Sequence, residues 1–224
     1  MARVHGVAGD WARVKGTVAG LWPLFMCVFA TGFALAAMMV SFAAGMAIMV
    51  VSLAAAAFAL MRGLRHVERF FKGARGEERV AGILRELPEQ YHVFNDFVAK
   101  GKHVDHVVVG PAGVFAIETK FWRGSVTIED GHVLLDGQLP GRSPLAQVKR
   151  EAELVREALA DAGWKGAVTP VLTFASDTFA AISATVAGAV VINSNNLKKS
   201  FDTDRVVIVP AELDRLVRIM EIKE

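Results

Sequence analysis

The chain has one cysteine, one tyrosine and seven prolines in 224 residues. A lone thiol, Cys27, excludes an intrachain disulfide and fits a reducing compartment. There is no zinc-spaced Cys/His set, no Walker-type glycine loop and no G-x-S-x-G elbow, so zinc-finger, NTPase and serine-hydrolase chemistry have no support. Strong charge of either sign is also missing. The net charge is +2, and residues 62–224 carry 22 basic and 22 acidic side chains. Charge alone therefore gives no argument for a nucleic-acid partner. The largest gap is local: from Gly16 to Met61, 46 residues pass without an Asp, Glu, Lys or Arg.

That block is membrane composition, and it explains a mean hydropathy of +0.38 for the whole chain. At about 1.5 Å per residue a single helix of this length would be roughly 70 Å long, more than twice a ~30 Å hydrocarbon core. Two passes fit, with the reversal expected around residues 41–45. Small residues such as Gly32, Ala36, Gly45 and Ala54 would let the two helices approach closely. Arg3, Arg13 and Lys15 precede the block and Arg62, Arg65, Arg69, Lys72 and Arg75 follow it, so both ends read as cytoplasmic. A cleaved signal peptide is the competing explanation, but its apolar region should be shorter and a second span would remain. The expected organisation is a short basic segment (1–15), a transmembrane hairpin inserted in the lipid bilayer (16–61), a juxtamembrane linker helix (62–72) and one domain (73–224). The protein is then a multi-pass protein of the cell membrane with its N-terminus and domain in the cytoplasm. In the linker, Leu64, Val67, Phe70 and Phe71 recur at helical spacing among basic residues, which suits a helix along the bilayer surface or a plain helical connection.

In the domain, the pattern predicts a helix over 77–87, strands near 91–97, 104–109 and 114–120, and a hairpin over 125–136. The Asp130-Gly131 pair marks a type I′ turn in that hairpin. A helix follows from Pro144 to Ala162, with Ser143 as N-cap. Strands at 168–174 and 189–193 and a last helix from Ala211 complete an α/β arrangement, a mixed sheet flanked by helices.

The strand "VFAIETK" ends in charge. If Gly110 to Gly113 form the loop of a hairpin, Val109 faces Val114 and Asp105 faces Glu118, with Lys120 on the same side. Two facing carboxylates repel and need a cation: Lys120 supplies one charge and a divalent ion would supply the rest. All-oxygen ligation points to Mg²⁺ or Mn²⁺. An Asp–Lys–Glu ion cluster at a sheet edge explains the same residues without a metal. Glu77 falls on the stripe defined by Val80, Leu84 and Leu87, where a carboxylate needs a partner or a helix N-terminus. Of two nearby histidines, strand alternation places only His103 on the face of Asp105, and His106 points away. Trp122 and Arg123 are available either to nucleic acid or, for Trp122, to the core.

The stretches "GARGEERV" (73–80), "VDHVVVGPAGVFAIETK" (104–120), Gly124 and "SPLAQ" (143–147) together resemble the nuclease-related domain (NERD), a branch of the PD-(D/E)xK nuclease superfamily. The resemblance spans roughly residues 73–160 and implies a restriction-endonuclease-like sheet. It implies Asp105 and Glu118 as metal ligands, with the Thr119 carbonyl a third, and Lys120 as the group that orients or activates water and stabilises charge on the phosphorus centre. By the same resemblance Glu77 supports the metal or its waters and Gln147 positions the lysine or the phosphate. Ser143 stands where the family usually has Asn before the Pro, a departure that touches the Gln147 motif and leaves the metal core intact. The implied activity is Mg²⁺- or Mn²⁺-dependent hydrolysis of nucleic acid, expected to be DNA, at the membrane. The alternative is a weak or inactive nuclease fold that binds nucleic acid or a protein partner there.

Overall fold

The computed structural model describes residues 1–201 and 206–223. Two compact units divide the chain, Trp11–Ala74 on the one hand and Met1–Asp10 with Arg75–Glu224 on the other.

The first unit consists of α1 (Asp10–Met38) and the leading part of α2 (Phe42–Arg85). The reversal falls at Met39–Ser41, slightly before the expected position, because Ser41 caps the next helix: its Oγ accepts from the Ala44 N–H at 3.4 Å. Gly45 is required at that corner, since a Cβ there would stand 2.2 Å from Met38 Cγ, whereas Gly32 has nothing within 4 Å. Asp10–Met38 and Phe42–Arg62 are each long and apolar enough to cross a membrane, and only 12% and 6% of their most apolar windows is buried. In a protein core such helices would be covered; here Phe25, Phe29, Val50 and Val51 are exposed. The expected linker helix at 62–72 lies inside α2 rather than forming a separate element. The side chains of Leu64 and Val67 fall outside the described residues.

The second unit is built on a seven-stranded sheet. Its strands are β1 (Arg3–His5), β2 (His92–Ala99), β3 (Lys102–Gly110), β4 (Gly113–Lys120), β7 (Val168–Phe174), β8 (Ser183–Val186) and β9 (Ala189–Asn193), in the order β1-β2-β3-β4-β7-β9-β8. The sheet is mixed: β1–β2, β4–β7 and β7–β9 are parallel, and the other pairs antiparallel. A separate hairpin, β5 (Val126–Glu129) and β6 (His132–Leu135), turns at Asp130 and Gly131 with φ of 48° and 75°, the left-handed pair a type I′ turn demands. Strands β1 and β8 have no counterpart among the expected elements.

Helices cover both faces. On one face α3 (Pro144–Ala160) and α4 (Pro210–Lys223) bury Val155, Leu159, Leu216 and Met220 against Phe94, Val107, Val114 and Ala116. On the other, the end of α2 buries Val80, Leu84 and Leu87 against Val93, Val108, Phe115 and Ile117, joined by Leu197 and Phe201 beside the 3-10 helix Ser194–Ser200. Ser143 caps α3 through its Oγ, which accepts from the Ala146 N–H at 3.2 Å. At the tight β3–β4 turn, Gly110 leaves room for the Tyr91 ring, whose Cδ1 would lie 2.1 Å from a Cβ there. Gly110→Ala should therefore cost about 1–3 kcal/mol in chemical denaturation, since fully buried Tyr91 has nowhere to retreat.

Candidate active site

The β3–β4 register is Gly110 with Gly113, Val109 with Val114 and so on down to His106 with Ile117. The turn holds two residues, Pro111 and Ala112, inside the expected four-residue loop, and the facing pairs are unchanged. One step beyond the last pair, Asp105 stands across from Glu118. There the strands part. The Thr119 N–H donates to Asp105 Oδ2 at 2.8 Å, a side chain replacing a ladder partner.

The parting has a cause in β2. Its ladder with β3 pairs Asn95 with His106 and Phe97 with Val104 but skips Asp96 and Asp105 between them, and Asp96 has φ of 52°. Strand alternation inverts at this kink, so Phe94 and Phe97, three residues apart, enter the same core cluster, as do Val104 and Val107. His103 binds Asp96, Nδ1 to Oδ1 at 2.7 Å, and His106 is buried with Nδ1 on Asn95 Oδ1 at 2.8 Å. Burial pushes the His106 pKa down to about 3, so it is a neutral core residue.

Two helices add their side chains to Asp105, Glu118 and Lys120. Lys120 Nζ donates to Glu118 and, at 3.0 Å, to Gln147 Oε1; Gln147 Nε2 donates to Glu151 Oε1 at 2.9 Å. Gln147 and Glu151 lie one turn apart on α3, so the first turns of that helix hold the lysine. Glu77 approaches from α2. The helix runs unbroken from Phe42, so Glu77 is not at a helix N-terminus, and the dipole explanation for it is corrected. Among the groups acting on it, the Gly9 backbone N–H and the Lys120 ammonium favour its ionised form.

The cluster carries more carboxylate than it can ionise. Burial, then the charges of Asp96 and Glu118, raise Glu77 to about 7; burial, then Glu118, raises Glu151 to about 9. Burial, then Glu118 and Glu77, also push Asp105 well above the usual carboxylate range. Burial alone would depress Lys120, but Glu118, Asp105 and Glu151 outweigh it and hold the ammonium charged. Glu151 Oε2 and Thr119 Oγ1 are buried without a hydrogen-bond partner among the described residues. This donor set, oxygen throughout and short of positive charge, suits a hard divalent cation. Among the described residues no three His, Cys, Asp or Glu side chains are already gathered into a metal cage. Glu118 is turned instead toward Lys120.

Residues 72–175 match the model of the nuclease-related domain. This stretch of the chain is a NERD domain. Neither a curated protein nor a solved structure matches the chain. Every residue of the cluster from Glu77 to Glu151 falls inside the matched NERD region. Gly124, between β4 and β5, has a steric reason to be glycine: its φ is 106° and a Cβ would meet Asp136 Oδ2 at 2.3 Å. Trp122 packs on Phe174 with ring centroids 5.5 Å apart, and Arg123 is exposed. Glu151 went unremarked in the sequence, although it lies on the buried stripe with Val148, Ala152 and Val155, the same signal that singles out Glu77.

Proposed function

We propose that the chain is a membrane-anchored, divalent-cation-dependent nuclease that hydrolyses phosphodiester bonds of DNA at the cytoplasmic face. The observation that carries the reading is the meeting of Asp105, Glu118 and Lys120 where β3 and β4 part, within a NERD domain. Asp105, Glu118 and the Thr119 carbonyl would hold Mg²⁺ or Mn²⁺, which supplies Lewis acidity toward the phosphate and the attacking water. Lys120 stays protonated and presents its ammonium to the charge that develops on the phosphate oxygens, so its role is electrostatic. Gln147, fixed by Glu151, holds Lys120 from the helix side. Glu77 supports the carboxylate end of the site from α2.

The test is incubation of the full chain in detergent or nanodiscs with labelled DNA and RNA, with Mg²⁺, Mn²⁺ or EDTA. Cleavage of DNA with either ion, abolished by EDTA and by Asp105→Asn, is the expected result. Binding of nucleic acid without cleavage would favour the alternative, a nuclease fold used as a docking module, for which the Glu118–Lys120 pairing speaks.

Membrane anchoring is supported by the two outward-facing apolar helices and by β1. Because Arg3–His5 pair with His92–Phe94, the segment before the apolar block and the domain after it lie on one side of any bilayer the block crosses, as two passes require. Basic residues on both flanks favour the cytoplasm. With Cys27 replaced, Ala43→Cys is expected to react with an impermeant thiol reagent outside intact cells and Gly73→Cys to remain unlabelled. Labelling at position 73 from outside would contradict this topology.

A further inference from the structure

The parallel strands β4, β7 and β9 end along one edge of the sheet, at Lys120, Phe174 and Asn193. Ligands of such sheets bind outside the carboxyl ends of the strands. The last turns of α2 press on this edge: a Cβ on Gly76 would stand 2.9 Å from Phe121 Cβ and 3.5 Å from Ala175 Cβ. One turn on, Arg79 Nη1 donates to Ala175 O at 2.9 Å and Nη2 to Asn195 Oδ1 at 3.0 Å. The Ala175 N–H in turn donates to Lys120 O at 2.9 Å, so Arg79 is tied to the residue that pairs with Lys120. Asn195 is itself fixed, its N–H on Asn193 Oδ1 at 2.9 Å and its Nδ2 on Asp177 Oδ1 at 3.1 Å.

Both acceptors of Arg79 are neutral, and among the described residues it forms no ion pair with a carboxylate; Asp177 is held by the other end of the Asn195 amide. The residue is exposed. Its charge is thus fixed in place and left uncompensated. A staple between α2 and the strand ends would need only a neutral donor, whereas a held guanidinium still offers its other N–H groups in the planar fork that matches phosphate. We propose that Arg79 is a substrate-binding residue, a phosphate anchor that holds the nucleic-acid backbone beside the phosphate facing Lys120. Phosphate contacts fix register and read no bases, so the grip is independent of sequence. This rests on the nucleic-acid reading above.

The experiment uses the full chain in nanodiscs of neutral lipid and labelled DNA duplexes of unrelated sequence. Binding is measured in EDTA, where nothing is cut, over a series of salt concentrations. Arg79→Gln, which can still donate to Ala175 O, should weaken every duplex alike and reduce the slope of log K against log salt by about one. Arg79→Lys keeps the charge and should keep the slope. Asn195→Asp leaves Arg79 an acceptor but neutralises it, so the slope should fall there too, which keeps the test open if Arg79→Gln fails to fold. A purely structural staple would lower the melting temperature of Arg79→Gln and leave the slope of both neutral variants at the wild-type value. That result, with wild-type cleavage in Mn²⁺ intact, would overturn the anchor and leave the nuclease reading standing. A slope lost in Arg79→Gln, in a protein whose wild type cuts nothing with Mn²⁺, would keep the anchor and overturn the nuclease reading. A wild type that binds no duplex at any salt would overturn the anchor, and cleavage in Mn²⁺ would then decide the nuclease reading alone.

Discussion

Millimolar Mn²⁺ is expected to raise the melting temperature of the detergent-solubilised wild type by roughly 5–10 °C at saturation, and to leave Asp105→Asn unmoved. The sign of its pH dependence follows from the carboxyl groups. Glu77, Glu151 and Asp105 ionise in the unfolded chain near their ordinary values but are held protonated in the fold, Glu77 to about 7 and Glu151 to about 9. The folded state therefore binds more protons across this window, and its stability falls as pH rises, by about 3 kcal/mol for a carboxyl raised as far as Glu77. Neutral His106 acts in the opposite sense, lowering stability as pH falls from 6.5 toward 3, so the carboxyl effect is cleanest between pH 6.5 and 9. A bound cation replaces those protons, and the metal-induced shift should grow over the same range. Asp105→Asn puts a neutral amide where the metal-free fold holds a protonated carboxyl, so the metal-free variant should melt no lower than the wild type. A response to Mn²⁺ preserved in Asp105→Asn would place the ion elsewhere.

Lys120→Met is expected to lower cleavage by about 10²–10³-fold, the scale of losing one preorganised charge at a developing anion. Its effect on the ion should be opposite in sign. Lys120 now pairs with Glu118, and removing it frees that carboxylate, so Mn²⁺ should bind as tightly or more tightly. Metal-free stability should drop, because Glu118 is left buried beside Glu151 and Asp105 with no ammonium. A variant that loses stability in a protein whose wild type shows no metal effect would identify a structural ion cluster. Steady-state cleavage and Mn²⁺ titration on the same preparation separate the two.

Part of this site was legible in the sequence because hairpin register depends on a short, glycine-flanked turn. Counting outward from Gly110 and Gly113 brings Asp105 to Glu118, and Lys120 follows by strand period. Glu77 was legible as a carboxylate on a buried stripe, but its surroundings were not. The apolar block and the first domain helix run together as α2, with no local signal to stop the helix between them, and this removes the helix-terminus explanation. The kink at Asp96 was hidden, since a left-handed aspartate in a strand carries no pattern of its own. Strand β1 was out of reach for a plainer reason: three residues are too few to show a period, and their partner lies 89 positions along the chain.

The central claim is that Asp105 and Glu118 form a hard-cation site. Anomalous diffraction from crystals of the protein grown with Mn²⁺ tests it most directly. The expected result is a manganese peak between the carboxylates of Asp105 and Glu118, within reach of the Thr119 carbonyl and absent from Asp105→Asn crystals. A Glu118–Lys120 pair left intact at saturating Mn²⁺, with no peak between the two carboxylates, would contradict it.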